Sequence, residues 1–185
     1  MGSHFGTKRV ADRFTTTDVR RPSRAFPVYL SIQNPLRLED RGDWGIDSVG
    51  PQLIKLGIAT QGEISALRGG DGQSVLEERT GLRSLIESKG FDGVVYLNRF
   101  EHAFSSAEVV SRAGRPVDFS ETTGGAWEIV KGLHALTDAE IEAADVGASD
   151  SWIAFSPTQI KSATGNRGTF DESDPDIRRA PKGDV

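Results

Sequence analysis

The segment DSWIAFSPTQIKSATGNRGTF, residues 150–170, begins as an apolar strand and ends as a polar loop. Its first half, SWIAFS, has the length and apolar character of a strand. Its second half brings together several hydrogen-bond donors, namely Gln159, Lys161, Asn166 and Arg167. Such donors suit the oxygens of a phosphate or carbonyl group, but they equally suit the protein's own backbone. The segment therefore predicts a strand followed by a loop that either binds a ligand or is fixed to the domain by its side chains.

Two earlier segments also predict strands. In AFPVYLSIQNPLRLED, residues 25–40, apolar residues alternate from Phe26 to Ile32, and Pro35 then interrupts the pattern. Because proline cannot donate to a strand ladder, we expect a bulge or a crossing between sheets there. In FDGVVYLN, residues 91–98, an Asp-Gly turn leads directly into an apolar run typical of a buried strand.

Helices are predicted between and after these strands. Asp47 or Ser48 is a candidate N-cap for a helix that ends near Gly57. A longer helix in residues 73–90 ends at Gly90, and its expected apolar stripe is Val75, Leu76, Leu82, Leu85 and Ile86. Two further helices are expected within residues 102–149, the second capped by Thr137.

These elements predict one α+β domain over residues 1–164. Residues 102–149 are interpreted as an insertion between two neighbouring strands, and residues 165–185, rich in Gly, Asp, Pro and charged residues, as a loop or disordered tail. The apolar fraction of 36% and the charged fraction of 26% are ordinary for a globular protein.

Composition excludes several classes of function. A net charge of −5 argues against binding to duplex nucleic acid, which requires a basic surface. The absence of cysteine and the wide separation of the three histidines argue against a metal site. No apolar stretch is long enough for a membrane span or a signal peptide, so we expect a cytoplasmic protein. The glycine motifs of Rossmann and P-loop proteins do not occur.

Three blocks resemble a known family when they are taken together. YLSIQNPL at 29–36, FDGVVYLN at 91–98 and SWIAFSPTQIKSATGNRGTFD at 151–171 occur in the order typical of the ADP-ribosyltransferase-like domains in polyvalent proteins of phages and other mobile elements. The resemblance implies a split β-sheet with flanking helices that holds NAD in a cleft. It further implies transfer of ADP-ribose to a protein or another acceptor, in a bacterial or phage-infected cell.

An acidic residue is needed in this chemistry, because cleavage of the glycosidic bond builds positive charge on the ribose. Glu101, at the end of one strand, and Asp150, at the start of the next, are the candidates. By resemblance, the acid of the superfamily falls on Ser151. Asp150 is one residue away and would point to the other face of a regular strand. A surface acid and a turn-forming Asp are the structural alternatives for Glu101 and Asp150.

The resemblance also suggests residues that contact NAD. His4 matches either the histidine of a first "HGT" motif, which contacts the nucleotide, or a later "HFGT" block, in which case the first motif is missing. The complete set of candidate NAD-binding residues is His4, Thr7, Tyr29, Asn34, Tyr96, Asn98, Gln159, Lys161 and Asn166.

Three functions follow from these residues. The first is a mono-ADP-ribosyltransferase that uses NAD, with Glu101 as its acid. The second is a module that binds NAD, ADP-ribose or a related signalling nucleotide without cleaving it, and Ser151 at the expected acid position favours it. The third is an interaction domain whose working surface is the 102–149 insertion.

Overall fold

The computed structural model describes residues 1–13, 23–68, 74–101, 105–114 and 125–164. The strands in this part of the chain are β1 (Ser3–Phe5), β2 (Val28–Leu30), β3 (Pro35–Arg37), β4 (Gly93–Leu97), β5 (Asp150–Ala154) and β6 (Ile160–Ser162). The helices are α1 (Lys8–Arg13), α2 (Ile46–Lys55), α3 (Gln61–Leu67), α4 (Val75–Ser88), α5 (Ser106–Arg112), α6 (Gly125–Ala135) and α7 (Asp138–Ala144). The α+β composition agrees with the sequence prediction.

The strands form two sheets. The larger sheet has the order β1-β5-β4-β3, in which β3 is parallel to β4 and the other pairs are antiparallel. The smaller sheet is the antiparallel pair β2-β6. The chain passes from the smaller to the larger sheet between Leu30 and Pro35, which confirms the predicted crossing.

Strand β4 is buried along its whole length. Val94 and Tyr96 face a core that includes residues of α2, α3 and α4. Leu97 belongs to a second apolar cluster that α5, α6 and α7 form. Because both faces are covered, the strand reads in the sequence as a continuous apolar run rather than an alternation.

Two details of the helix predictions are wrong. The N-cap of helix α2 is Gly45, which provides no side-chain cap and lies two to three residues before the predicted caps. Val75 and Leu76, placed in the apolar stripe of α4, are 63% and 74% exposed, because the helix turns its buried side to the core only from Leu82 onward. Helices α3 and α5 were not predicted.

The predicted helix ends at glycine are confirmed, since Gly57 and Gly90, after α2 and α4, have φ angles of 69° and 91°.

The inserted helices were predicted more accurately. Helices α6 and α7 lie where the pattern indicated, and Thr137 accepts a hydrogen bond from the backbone N–H of Glu140 in a capping box. No helix in the described ranges is long and apolar enough to cross a bilayer.

Candidate functional site

The functional candidates Asn98, Glu101, Asp150 and Ser151 lie where the two central strands of the larger sheet, β4 and β5, end and begin. Strands β4 and β5 pair with Tyr96 opposite Ser151 and Leu97 opposite Asp150. The backbone N–H of Asn98 continues the pairing by donating to the carbonyl oxygen of Ser149, at 3.2 Å. The end of β4 and the start of β5 therefore meet at one rim, as the sequence predicted for strands lying side by side.

Successive residues of β5 face different hollows. Ser151 lines a cleft of about 700 Å³, whereas Asp150 lines a groove of about 980 Å³. Residues His4, Phe5 and Gly6, at the end of β1, border both. The expectation that Asp150 points away from Ser151 therefore agrees with the alternation of a regular strand.

The cleft is formed by two walls and a floor. One wall is the loop of residues 40–44 that leads from β3 to α2, and the other is the turn of residues 98–101 after β4. Between them the lining residues from the strands are His4, Phe5, Tyr96 and Ser151. The cleft volume falls within the range of small-molecule and cofactor sites.

Three aromatic rings cluster in this cleft. The centroids of Trp44 and Tyr96 are 4.5 Å apart, and His4 meets both rings edge-on, at 5.9 Å and 6.4 Å. His4 Nδ1 also lies 3.3 Å from the Tyr96 hydroxyl. The cluster provides flat surfaces of the kind on which a planar ring stacks.

Electrostatic effects follow from burial in the cleft. Burial, followed by the negative charges of Asp40 and Glu101, raises the pKa of Tyr96. Burial, followed by the positive charges of the N-terminal amine and Arg79, lowers the pKa of His4. Tyr96 and His4 are therefore both neutral at pH 7.

Asn98 shapes the turn that carries Glu101. Its Oδ1 accepts hydrogen bonds from the backbone N–H groups of Phe100 and Glu101, at 3.2 Å and 2.8 Å. Its Nδ2 donates to Ser151 Oγ, at 3.2 Å. Asn98 is buried and thus links the Glu101 turn to the start of β5.

Arg99 anchors the same turn to the inserted helices. Its guanidinium donates to the carbonyl oxygens of Leu133 and Leu136, at 3.2 Å and 2.8 Å, and to Asp138 Oδ1, at 2.7 Å. These carbonyls belong to the end of α6 and the residue that follows it, where a positive charge is favourable. The insertion therefore supports the candidate site from behind.

On the opposite face of the sheet, Asp150 belongs to an ion pair. Arg37 Nη1 and Nη2 donate to its two carboxylate oxygens, each at 3.0 Å, and Arg37 also lies 3.5 Å from Asp138. Thr7, another predicted NAD contact, lines this groove too, with its hydroxyl 3.4 Å from that of Ser149. The remaining groove lining is mostly apolar and includes Phe5, Phe26, Val28, Leu30, Trp152 and Ile160.

The other predicted NAD contacts in the described part of the chain do not line the cleft. Asn34 donates to the carbonyl oxygen of Gly90, at 2.8 Å, and Gln159 to that of Asp92, at 2.7 Å. Gln159 Oε1 also accepts hydrogen bonds from the backbone N–H groups of residues 155 and 156. Gln159 therefore fixes the loop to the domain's own backbone, the second of the two roles predicted for this polar segment. Tyr29 is exposed on β2 opposite the buried Lys161. Asn166 and Arg167 lie outside the described residues.

Sequence reasoning missed the loop wall of the cleft. Asp40, Arg41, Asp43 and Trp44 all line the cleft, yet none was predicted as a site residue. The available signal was the sequence RGDWG at 41–45, where an aromatic residue stands in a glycine-rich loop. Among the described residues, no group of three or more metal-ligating side chains is arranged to hold a metal.

Comparison with known proteins gives a family for this architecture. The family model of the ADP-ribosyltransferase in polyvalent proteins matches residues 2–170, nearly the whole chain. Neither the curated proteins nor the solved structures give a significant match. The chain therefore belongs to the family of ADP-ribosyltransferase domains found in polyvalent proteins.

Proposed function

We propose that the protein is an NAD-dependent mono-ADP-ribosyltransferase that binds NAD in the cleft between the 40–44 loop and the 98–101 turn. The observation that carries the proposal is the presence of a carboxylate, Glu101, in the same cleft as the aromatic rings of Trp44, Tyr96 and His4. Family membership supports the choice of NAD as the substrate.

The aromatic rings suit the planar nicotinamide. Trp44 offers a ring face beside the buried Tyr96, and stacking of a flat base on an aromatic side chain contributes ~1–3 kcal/mol of binding free energy. The pyridinium ring of NAD is positively charged, so aromatic faces and nearby carboxylates both attract it. The cleft supplies carboxylates at Asp43 and Glu101.

Glu101 is the proposed catalytic carboxylate. The bond between ribose C1′ and the pyridinium nitrogen breaks with both electrons moving to nitrogen, so neutral nicotinamide leaves. Positive charge then develops on C1′ and the ring oxygen of the ribose, and a fixed carboxylate stabilises it. A nucleophile of the acceptor adds its lone pair to C1′ and transfers its proton to Glu101. A protein side chain is the acceptor that we propose.

The geometry of the turn supports this role. Glu101 follows a buried strand, and its backbone N–H is bonded to Asn98. This hydrogen bond fixes the backbone that carries Glu101, and a fixed backbone reduces the reorganisation needed when charge develops.

The test is incubation of the protein with NAD, followed by chromatographic measurement of nicotinamide. We expect wild type and Glu142→Gln to release nicotinamide at equal rates, because Glu142 is an exposed residue of α7. Glu101→Gln keeps the size of the side chain but removes its charge, and should lower the rate at least ~100-fold. Equal rates in wild type and Glu101→Gln would exclude Glu101 as the catalytic carboxylate.

A binding module is the second candidate function, and Ser151 favours it. At the position on β5 that faces the cleft, the chain has a buried hydroxyl bonded to Asn98 instead of an acid. Intact NAD after incubation, together with a rise in melting temperature with NAD concentration, would support the binding module over the enzyme.

A further inference from the structure

Asp40 is the first residue of the 40–44 wall, and its side chain accepts hydrogen bonds from both walls of the cleft. Its Oδ1 accepts the backbone N–H of Gly42, at 2.9 Å, in the loop that leads to Trp44. Its Oδ2 accepts the backbone N–H of Arg99, at 3.0 Å, in the turn that leads to Glu101. The side chain is only 3% exposed, so these bonds are shielded from water.

The turn of residues 99–101 depends on two side chains for its backbone hydrogen bonds. Asp40 accepts from Arg99, and Asn98 accepts from Phe100 and Glu101. Three successive N–H groups are therefore satisfied by side-chain oxygens rather than by a strand or helix. Hydrogen bonds from backbone N–H groups to an ionised carboxylate are among the stronger ones in proteins.

A second contact holds the walls together next to Asp40. The ring of Phe100 lies so close to Gly42 that a Cβ atom added there would be 3.1 Å from two ring carbons. Gly42 has a φ angle of 73°, a conformation that glycine adopts without strain. The close approach of the walls and the positive φ angle therefore both favour glycine at position 42.

We propose that Asp40 is a positioning residue that sets the separation between the Trp44 wall and the Glu101 wall. The catalytic part of this inference rests on the proposed function, because the two walls carry the nicotinamide-stacking ring and the catalytic carboxylate. Asp40 acts through the backbone of residues 42 and 99 and donates nothing to the reaction itself. A displacement of ~1 Å in such a site can lower a rate 100-fold.

The decisive variant is Asp40→Asn, which has the same shape but offers one acceptor oxygen instead of two. Its amide NH2 group faces one of the two backbone N–H donors and cannot accept from it. One of the two backbone hydrogen bonds is therefore lost while the volume of the side chain is kept. Asp47→Asn is the matched control, because Asp47 is exposed on α2 and its carboxylate bonds to Arg68 on the surface.

Two measurements on the full chain test the proposal separately from the proposed function. Amide hydrogen exchange should be at least tenfold faster at Gly42 or Arg99 in Asp40→Asn than in wild type and Asp47→Asn. Nicotinamide release should show a kcat reduced ~10- to 100-fold with KM changed less than about threefold, the pattern of an interaction that acts in the transition state.

The outcomes are distinct. Unchanged exchange at both Gly42 and Arg99 would overturn the positioning role, whether or not the protein cleaves NAD. A variant with raised KM and wild-type kcat would also overturn it, since Asp40 would then contact the substrate. If wild type releases no nicotinamide, the proposed enzyme fails, and faster exchange at Gly42 or Arg99 in Asp40→Asn would still support the positioning role.

Discussion

The cleft and the groove border the same strand, β1, but they are lined by different chemistry. The cleft combines aromatic rings with the carboxylate of Glu101, whereas the groove is mainly apolar and its carboxylate, Asp150, is paired with Arg37. Asp150 and Ser151 are neighbours in sequence, yet they face different hollows. A shift of one residue along β5 therefore decides whether a side chain lines the cleft or the groove. An acid in the cleft can take part in the proposed reaction, whereas an acid in the groove can only form ion pairs that stabilise the sheet.

The largest expected contrast is between the two carboxylates. Glu101→Gln should lower nicotinamide release at least ~100-fold, because it removes charge from the cleft. Asp150→Asn should leave the rate within about threefold and cost no more than ~1 kcal/mol of stability, because the Arg37 pair is partly exposed and screened by solvent. The measurements are the rate of nicotinamide release and the free energy of unfolding in denaturant, each for both variants. A large rate loss in Asp150→Asn alone would transfer the catalytic role to the groove.

A smaller contrast is expected between two aromatic residues. Trp44→Ala removes the proposed stacking surface and should raise the KM for NAD about tenfold, the effect of losing ~1.4 kcal/mol. Phe26→Ala changes an aromatic residue of the groove that is 64% exposed and carries the Arg24 guanidinium 4.4 Å from its ring centroid. Its KM should stay near the wild-type value. Steady-state kinetics over a range of NAD concentrations measure the KM of both variants. A KM that rises in Phe26→Ala but not in Trp44→Ala would place the nucleotide in the groove.

The smallest expected effect concerns pH and the imidazole of His4. Since the folded state lowers the pKa of His4, the unfolded chain binds its proton first as pH falls. Stability should therefore decrease as pH drops below about 6.5, the ordinary pKa of histidine. His134, whose pKa is also lowered chiefly by burial, adds to the same trend. His4→Gln should show a smaller loss of melting temperature between pH 7.5 and pH 5.5, whereas an unchanged loss would show that His4 does not contribute.

Some of this architecture was predictable from local patterns. The strand at 91–98 and the strand that starts at position 150 were identified from short apolar runs, and the direction of Asp150 followed from the two-residue period of a strand. The crossing at Pro35 followed from the chemistry of proline. Such features depend on neighbours in sequence, so one sequence is enough to predict them.

The loop wall of the cleft was not predictable in the same way. Trp44 joins the site through its contact with Tyr96, which lies far away in the sequence. Asn34 and Gln159 carry groups that suit a ligand, but their partners are backbone carbonyls that the fold brings to them. Polar side chains in loops have the same composition in both roles, and only tertiary structure distinguishes a ligand contact from an internal hydrogen bond.

The central claim is that NAD binds in the cleft and not in the groove. Amide hydrogen exchange of the wild-type protein with and without NAD tests it most directly, because one experiment reports on the residues of both. The account predicts slower exchange with NAD in the 42–44 loop and the 98–101 turn, and no change in β2 and α1, which line the groove. Slower exchange in β2 and α1, with the loop and the turn unaffected, would contradict it.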